Sequence, residues 1–156
     1  MRRLHLIESK QAEEAGPIPG ALKIAFATQD LHHVDAHFGS APAIAIYEVG
    51  ARDVRFIEAI QFEGVSREDG HHVDEGDDRV GAKIEAITGC AMVFSLAIGG
   101  VAAARVVNNR VYPLKLPSVE PIADVIARVQ GMLRGSPPPW MRKLLSGGSD
   151  LSFAEE

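Results

Sequence analysis

Between Arg79 and Leu133 the chain changes its hydrophobic period four times, and this alternation limits the available folds more than any other feature. Val80, Ile84 and Ile87 recur at helical spacing, and Met92-Val93-Phe94-Ser95-Leu96 is a short continuous apolar run. After Gly99-Gly100, which opens a helix, Val101, Ala104 and Val107 return to helical spacing. Val111-Tyr112-Pro113-Leu114 is a second short run, and Ile122, Val125, Ile126 and Val129 mark one face of a last helix over Val119 to Leu133. Gly89 and Asn108-Asn109 supply the stops between them. Short buried strands separated by helices pair in parallel, because each crossover helix returns the chain to the same edge.

The upstream half has a different rhythm. Leu22-Lys23-Ile24-Ala25-Phe26-Ala27 reads as a buried strand, Thr28 to Gly39 as a polar loop, and Ile44 to Val49 as a second strand. Gly50-Ala51-Arg52 turns the chain into Val54 to Ile60, so these two strands form an antiparallel hairpin. Glu63 to Asp78 is a loop rich in Gly, Asp, Glu and His. The expected fold is α/β, a mixed sheet of about five strands with flanking helices. Residues 1–20 read as a flexible arm ending in a Gly-Pro linker, residues 21–135 as the domain and residues 136–156 as a Pro-rich tail.

At 156 residues one core is expected, and 46% hydrophobic residues place the chain among folded proteins. The net charge is -5 and the basic residues form no stripe, which argues against a nucleic-acid partner. The apolar start ends at Glu8, too soon for a signal peptide. Ala91 to Ile98, the longest strongly apolar run, is far short of the roughly 20 residues that cross a bilayer. Cys90 is the one cysteine, so no internal disulfide is possible; a cytoplasmic monomer is expected.

Three of the six histidines lie in Asp30-Leu31-His32-His33-Val34-Asp35-Ala36-His37-Phe38-Gly39. In an extended segment His33, Asp35 and His37 share one face and His32 points the other way. Imidazole suits iron, zinc or copper, and open α/β sheets place ligands at the carboxyl ends of their strands. Alternatively the segment is a solvated turn. Cys90 reads as a small core residue or a ligand, and Gly99-Gly100 as close packing or an anion-binding helix start. His71-His72-Val73-Asp74-Glu75 reads as a solvated loop in preference to a second metal cluster. Ser40 and Ser95 sit in no nucleophile-elbow pattern, and no H-E-x-x-H or G-x-x-x-x-G-K motif occurs.

Lys23 to Ala27, Val34-Asp35-Ala36-His37-Phe38-Gly39, Ile44 to Val49, Gly89-Cys90-Ala91-Met92-Val93 and Ile98-Gly99-Gly100-Val101 resemble the dinitrogenase iron-molybdenum cofactor biosynthesis family over about residues 22–134. The resemblance implies a ribonuclease H-like fold without catalysis, and a chain that carries an iron-sulfur precursor of the iron-molybdenum cofactor during nitrogenase assembly. It implies His37 as the cluster ligand, with Cys90 as a second candidate. His33, Asp35, Gly99, Gly100 and Arg105 would complete the binding surface, the last three by complementing an anionic cluster. The implied partners are a NifEN-like scaffold protein and a NifB-like precursor donor. A cofactor-storage or apo-dinitrogenase chaperone of the same family, a mononuclear zinc hydrolase using His33, Asp35 and His37, and a metal-free partner-binding module are the alternatives. In the tail, Pro137-Pro138-Pro139 reads as a stiff extended spacer, after which Trp140 either docks a partner or folds back on its own domain.

Overall fold

The computed structural model describes residues 2–4, 18, 20–62 and 76–145. The His71-His72 segment, most of the arm and the end of the tail lie outside the described residues. Along the chain run β1 (Arg2–Leu4), β2 (Leu22–Thr28), β3 (His33–Val34), β4 (Ala43–Val49), β5 (Val54–Gln61), α1 (Gly76–Ala86), β6 (Met92–Ser95), α2 (Gly100–Asn108), β7 (Tyr112–Lys115), β8 (Glu120–Pro121), α3 (Ile122–Arg134) and α4 (Pro139–Leu145). One mixed sheet has the order β1-β5-β4-β2-β6-β7, and β3 pairs with β8 in a small second sheet. The expected hairpin is β4–β5, with Val49 opposite Val54. β2 is antiparallel to β4 and parallel to β6, so the sheet changes character at its middle strand.

β2 is covered on both faces, which is why it reads as an almost continuous apolar run. Ile24 and Phe26 enter a cluster with Ile122, Val125, Ile126 and Val129 of α3, the four positions that the helical spacing marks as one face. Phe26 stacks on Phe94, ring centroids 5.6 Å apart, and meets Tyr47 edge-on. Ala25 enters the opposite cluster, with Ile44, Val93, Ile87 and Val106, covered by α1 and α2. Two glycines are needed for backbone reasons. Gly89, at φ +94°, ends the turn after α1. At Gly50 a Cβ would lie only 2.8 Å from Ile18 Cγ2, so any side chain would displace Ile18 from the hairpin turn.

Three local readings are corrected. Helix α2 buries Val106, with Ala102 half-buried, and leaves Val101 at 78% exposure and Val107 at 46%. Both faces of this helix have a helical apolar period, and the alanine-bearing face packs because small side chains let it approach the sheet. Helix α3 starts at Ile122, since Glu120–Pro121 is used by the pairing with His33–Val34. The stretch after Gly135 does not run on as an extended spacer: Pro139 starts α4, as proline's fixed φ and absent N–H allow at a first helical position. Met141 is fully buried, and Trp140 stacks on Tyr112 with centroids 4.7 Å apart and planes 10° from parallel. Trp140 therefore folds back onto the domain.

The sheet has a sixth strand because Arg2–Leu4, inside the segment read as an arm, pairs antiparallel with Gln61–Ala59 of β5. Three residues are too short for an alternation to be recognised in the sequence. Deleting residues 1–17 is expected to cost about 1 kcal/mol, from three cross-strand pairs. Urea unfolding measures it, and an unchanged midpoint would show that β1 adds nothing.

Candidate functional site

The parallel strands β2, β6 and β7 end on the same side of the sheet, and β2 runs directly into the segment Gln29–Gly39. Past the end of β6, the Leu96 N–H donates to Ala36 O (3.0 Å) and Ala97 O accepts from the Phe38 N–H (2.8 Å). Past β7, Leu116 N–H donates to Ser95 O, and Ile122 N–H then reaches His32 O at 2.8 Å. The histidine segment is thus stitched between the continuation of β6 and the start of α3. It stands where strand direction changes, the usual ligand position in open α/β sheets.

Its first turn is organised by Asp30. One carboxylate oxygen accepts the N–H groups of His32 and His33, both at 2.8 Å, and the other meets His33 Nδ1 at 2.8 Å. The His32 N–H, and next the His33 ring, hold the Asp30 carboxyl well below the usual carboxylate range. Leu31, forced to φ 68°, donates its N–H to the buried Thr28 hydroxyl at 2.9 Å. Asp35 braces the other side: Oδ1 accepts the Gln29 N–H and its carbonyl accepts Gln29 Nε2, each at 2.7 Å.

The expected alternation is present. Val34, Ala36 and Phe38 are buried, while His33, Asp35 and His37 face outward. His32 points elsewhere, into a groove of about 320 Å³ beside Tyr47, Ile122 and Gln130. Among the described residues the exposed His37 ring makes no hydrogen bond, so its nitrogens are available. It borders a groove of about 440 Å³ with Gln29, Asp35, Ala36, Ser40, Pro42 and Leu96. Gly99 follows Ala97 by two residues, which puts the N-terminus of α2 within about 7 Å of Ala97, whose carbonyl holds the Phe38 N–H. That helix start carries no side-chain cap and no acidic residue in its first turn.

Other candidates lie elsewhere. Cys90 is at the opposite end of β6, six residues before Leu96 and so roughly 20 Å from the histidine loop at strand rise. Its thiol is buried, and burial pushes it up to about 12, with Lys23 opposing and Glu58 adding to the shift. It stays protonated at neutral pH, and the thiolate is the form that binds metal. His37 and Cys90 are not brought together. Arg105 is in the last turn of α2, its guanidinium 3.4 Å from where a Cβ on Gly81 would sit, so it faces α1 and not the helix start. Among the described residues no three His, Cys, Asp or Glu side chains come together as a metal-binding group, so the zinc set His33, Asp35 and His37 is not assembled. His33 is engaged with Asp30 instead.

The residues missed from the sequence are Gln29 and Ser40, which line the groove, and Lys83 of α1. Lys83 is fully buried and donates from Nζ to Gly39 O at 2.9 Å. The first two flank the singled-out segment Asp30–Gly39 on either side; a lysine amid helical apolar spacing carries no local sign of its partner.

The fold and the loop define an open α/β domain whose carboxyl-end face carries the imidazoles of His32, His33 and His37. The model of the family described as "Dinitrogenase iron-molybdenum cofactor" matches residues 20–132, and the chain belongs to that family. It is 50% identical over 135 residues to Protein NifX of Rhodobacter capsulatus, covering 85% of this chain and 84% of that one. Protein NifX of Sinorhizobium fredii is 45% identical over 94% of this chain and 89% of its own. Protein NifY of Azotobacter vinelandii is 30% identical over 86% of this chain but only 52% of its own length. Membership places the chain in nitrogenase cofactor biosynthesis. No helix among the described residues is long and apolar enough to cross a membrane.

Proposed function

We propose that the chain is a non-catalytic carrier that binds an iron-sulfur precursor of the iron-molybdenum cofactor at His37 and releases it to a cofactor-assembly scaffold. The observation that carries this reading is the outward, unengaged His37 imidazole on a loop fixed at both ends, in a member of this family. One imidazole from a rigid loop leaves most metal positions of a multi-iron cluster to other ligands, and such incomplete ligation lets the load move on. The uncapped start of α2, two residues past the Ala97 carbonyl that holds Phe38, would favour an anionic cluster on this face. His33, paired with Asp30, and Asp35, bonded to Gln29, brace the loop, so their contribution is orientation.

Anaerobic titration with the isolated iron-sulfur precursor tests the reading. Broad charge-transfer absorption and iron that stays with the protein through anaerobic gel filtration are the expected results. Protein emerging free of iron would sink it. Transfer of retained iron to a NifEN-type scaffold, but not to unrelated proteins, would establish the delivery step.

A further inference from the structure

Lys83 is a charged side chain with no exposed surface, in a helix whose other inward residues are apolar. An ammonium taken out of water is costly, and replacing a buried charge by an apolar side chain of similar volume is often neutral or stabilising. The ammonium is engaged across the chain: Nζ donates to Gly39 O at 2.9 Å across 44 residues of sequence, and lies 5.0 Å from the centre of the Phe62 ring. Phe62 in turn donates its N–H to Pro42 O at 3.0 Å. Gly39 follows His37-Phe38 directly, so this bond holds the residue just past the last bond to the β6 continuation, that of the Phe38 N–H to Ala97 O.

We infer that Lys83 is a positioning residue which, through the Gly39 carbonyl, fixes the exit of the histidine loop and so presents His37 in its binding orientation. The inference rests on the carrier reading above for its functional consequence, and on the Lys83–Gly39 geometry alone for its structural one. A side chain that merely fills the core would lower global stability on replacement; a positioning residue loosens the loop while the rest of the domain holds.

The test is Lys83→Met, with Lys83→Gln, neutral but still a donor, covering the case in which Met at this site prevents folding. Native-state hydrogen exchange should show the Phe38 amide opening about tenfold or more faster while amides of β2 and β4 keep their protection. Binding of the isolated iron-sulfur precursor should weaken about tenfold, and adding His37→Ala to the Lys83 variant should weaken it no further than His37→Ala alone, the signature of two residues acting as one. Phe38 exchange that merely follows the protection of β2 and β4 overturns the positioning role. If the wild-type chain binds no precursor, the carrier reading fails, and the exchange measurement still decides whether Lys83 holds the loop.

Discussion

Replacing His37 by alanine is expected to weaken binding of the iron-sulfur precursor by about 10- to 100-fold, the range seen when a metal site loses a supporting group, with the thermal midpoint unchanged. The ring is exposed and contributes nothing to either core cluster, so its loss removes ligation and leaves packing intact. Cys90→Ser should do the reverse. A hydroxyl in place of the thiol at this 4% exposed site loses about 1–3 kcal/mol if it finds no partner, which lowers the midpoint by several degrees in a chain of this size. Precursor binding should not change, because Cys90 is at the far end of β6 and its thiol stays protonated at neutral pH. The two variants, each measured for binding and for melting, form a crossed experiment. Binding lost with Cys90→Ser and kept with His37→Ala would place the cluster at the wrong end of the sheet for everything proposed above.

The second large effect is in the tail. Met141→Ala should cost about 2–5 kcal/mol, since Met141 is fully buried among Phe94, Val125, Val129 and their neighbours in the cluster under α3. Trp140→Ala should cost less than Met141→Ala: Trp140 is half-buried, and its stacking on Tyr112 contributes about 0.5–1.5 kcal/mol beyond the area it covers. Denaturant unfolding ranks them. If both variants keep wild-type stability while delivery of iron to the scaffold slows, the tail is a docking arm and the packing described here is not what holds it.

What was legible in the sequence was what depends on neighbours along the chain. The hairpin at Gly50, the stop at Gly89, the buried face of α3 and the two-residue alternation through His33, Asp35 and His37 all follow from local period and turn chemistry. What was not legible depends on contacts across the chain. The two-residue bridge β3–β8 exists only because Glu120–Pro121 arrives beside His33–Val34. The fate of Trp140 is decided by Tyr112, on a strand 28 positions away. Cys90 stands as a ligand candidate behind His37 in one dimension, and only the parallel pairing of β2 with β6 shows that they belong to opposite ends of the sheet.

The alternation along the loop also separates its recognition from its folding. Val34, Ala36 and Phe38 face the interior and answer to the core, whereas Asp35 and His37 face solvent from a backbone held by bonds to Leu96 and Ala97. Position 37 in particular can change identity without disturbing the register that presents it. The domain can therefore be re-addressed: a library varying residue 37 together with Ser40 should remain folded almost throughout, and selection from it could yield descendants that present thiolate, carboxylate or imidazole to quite different metal centres.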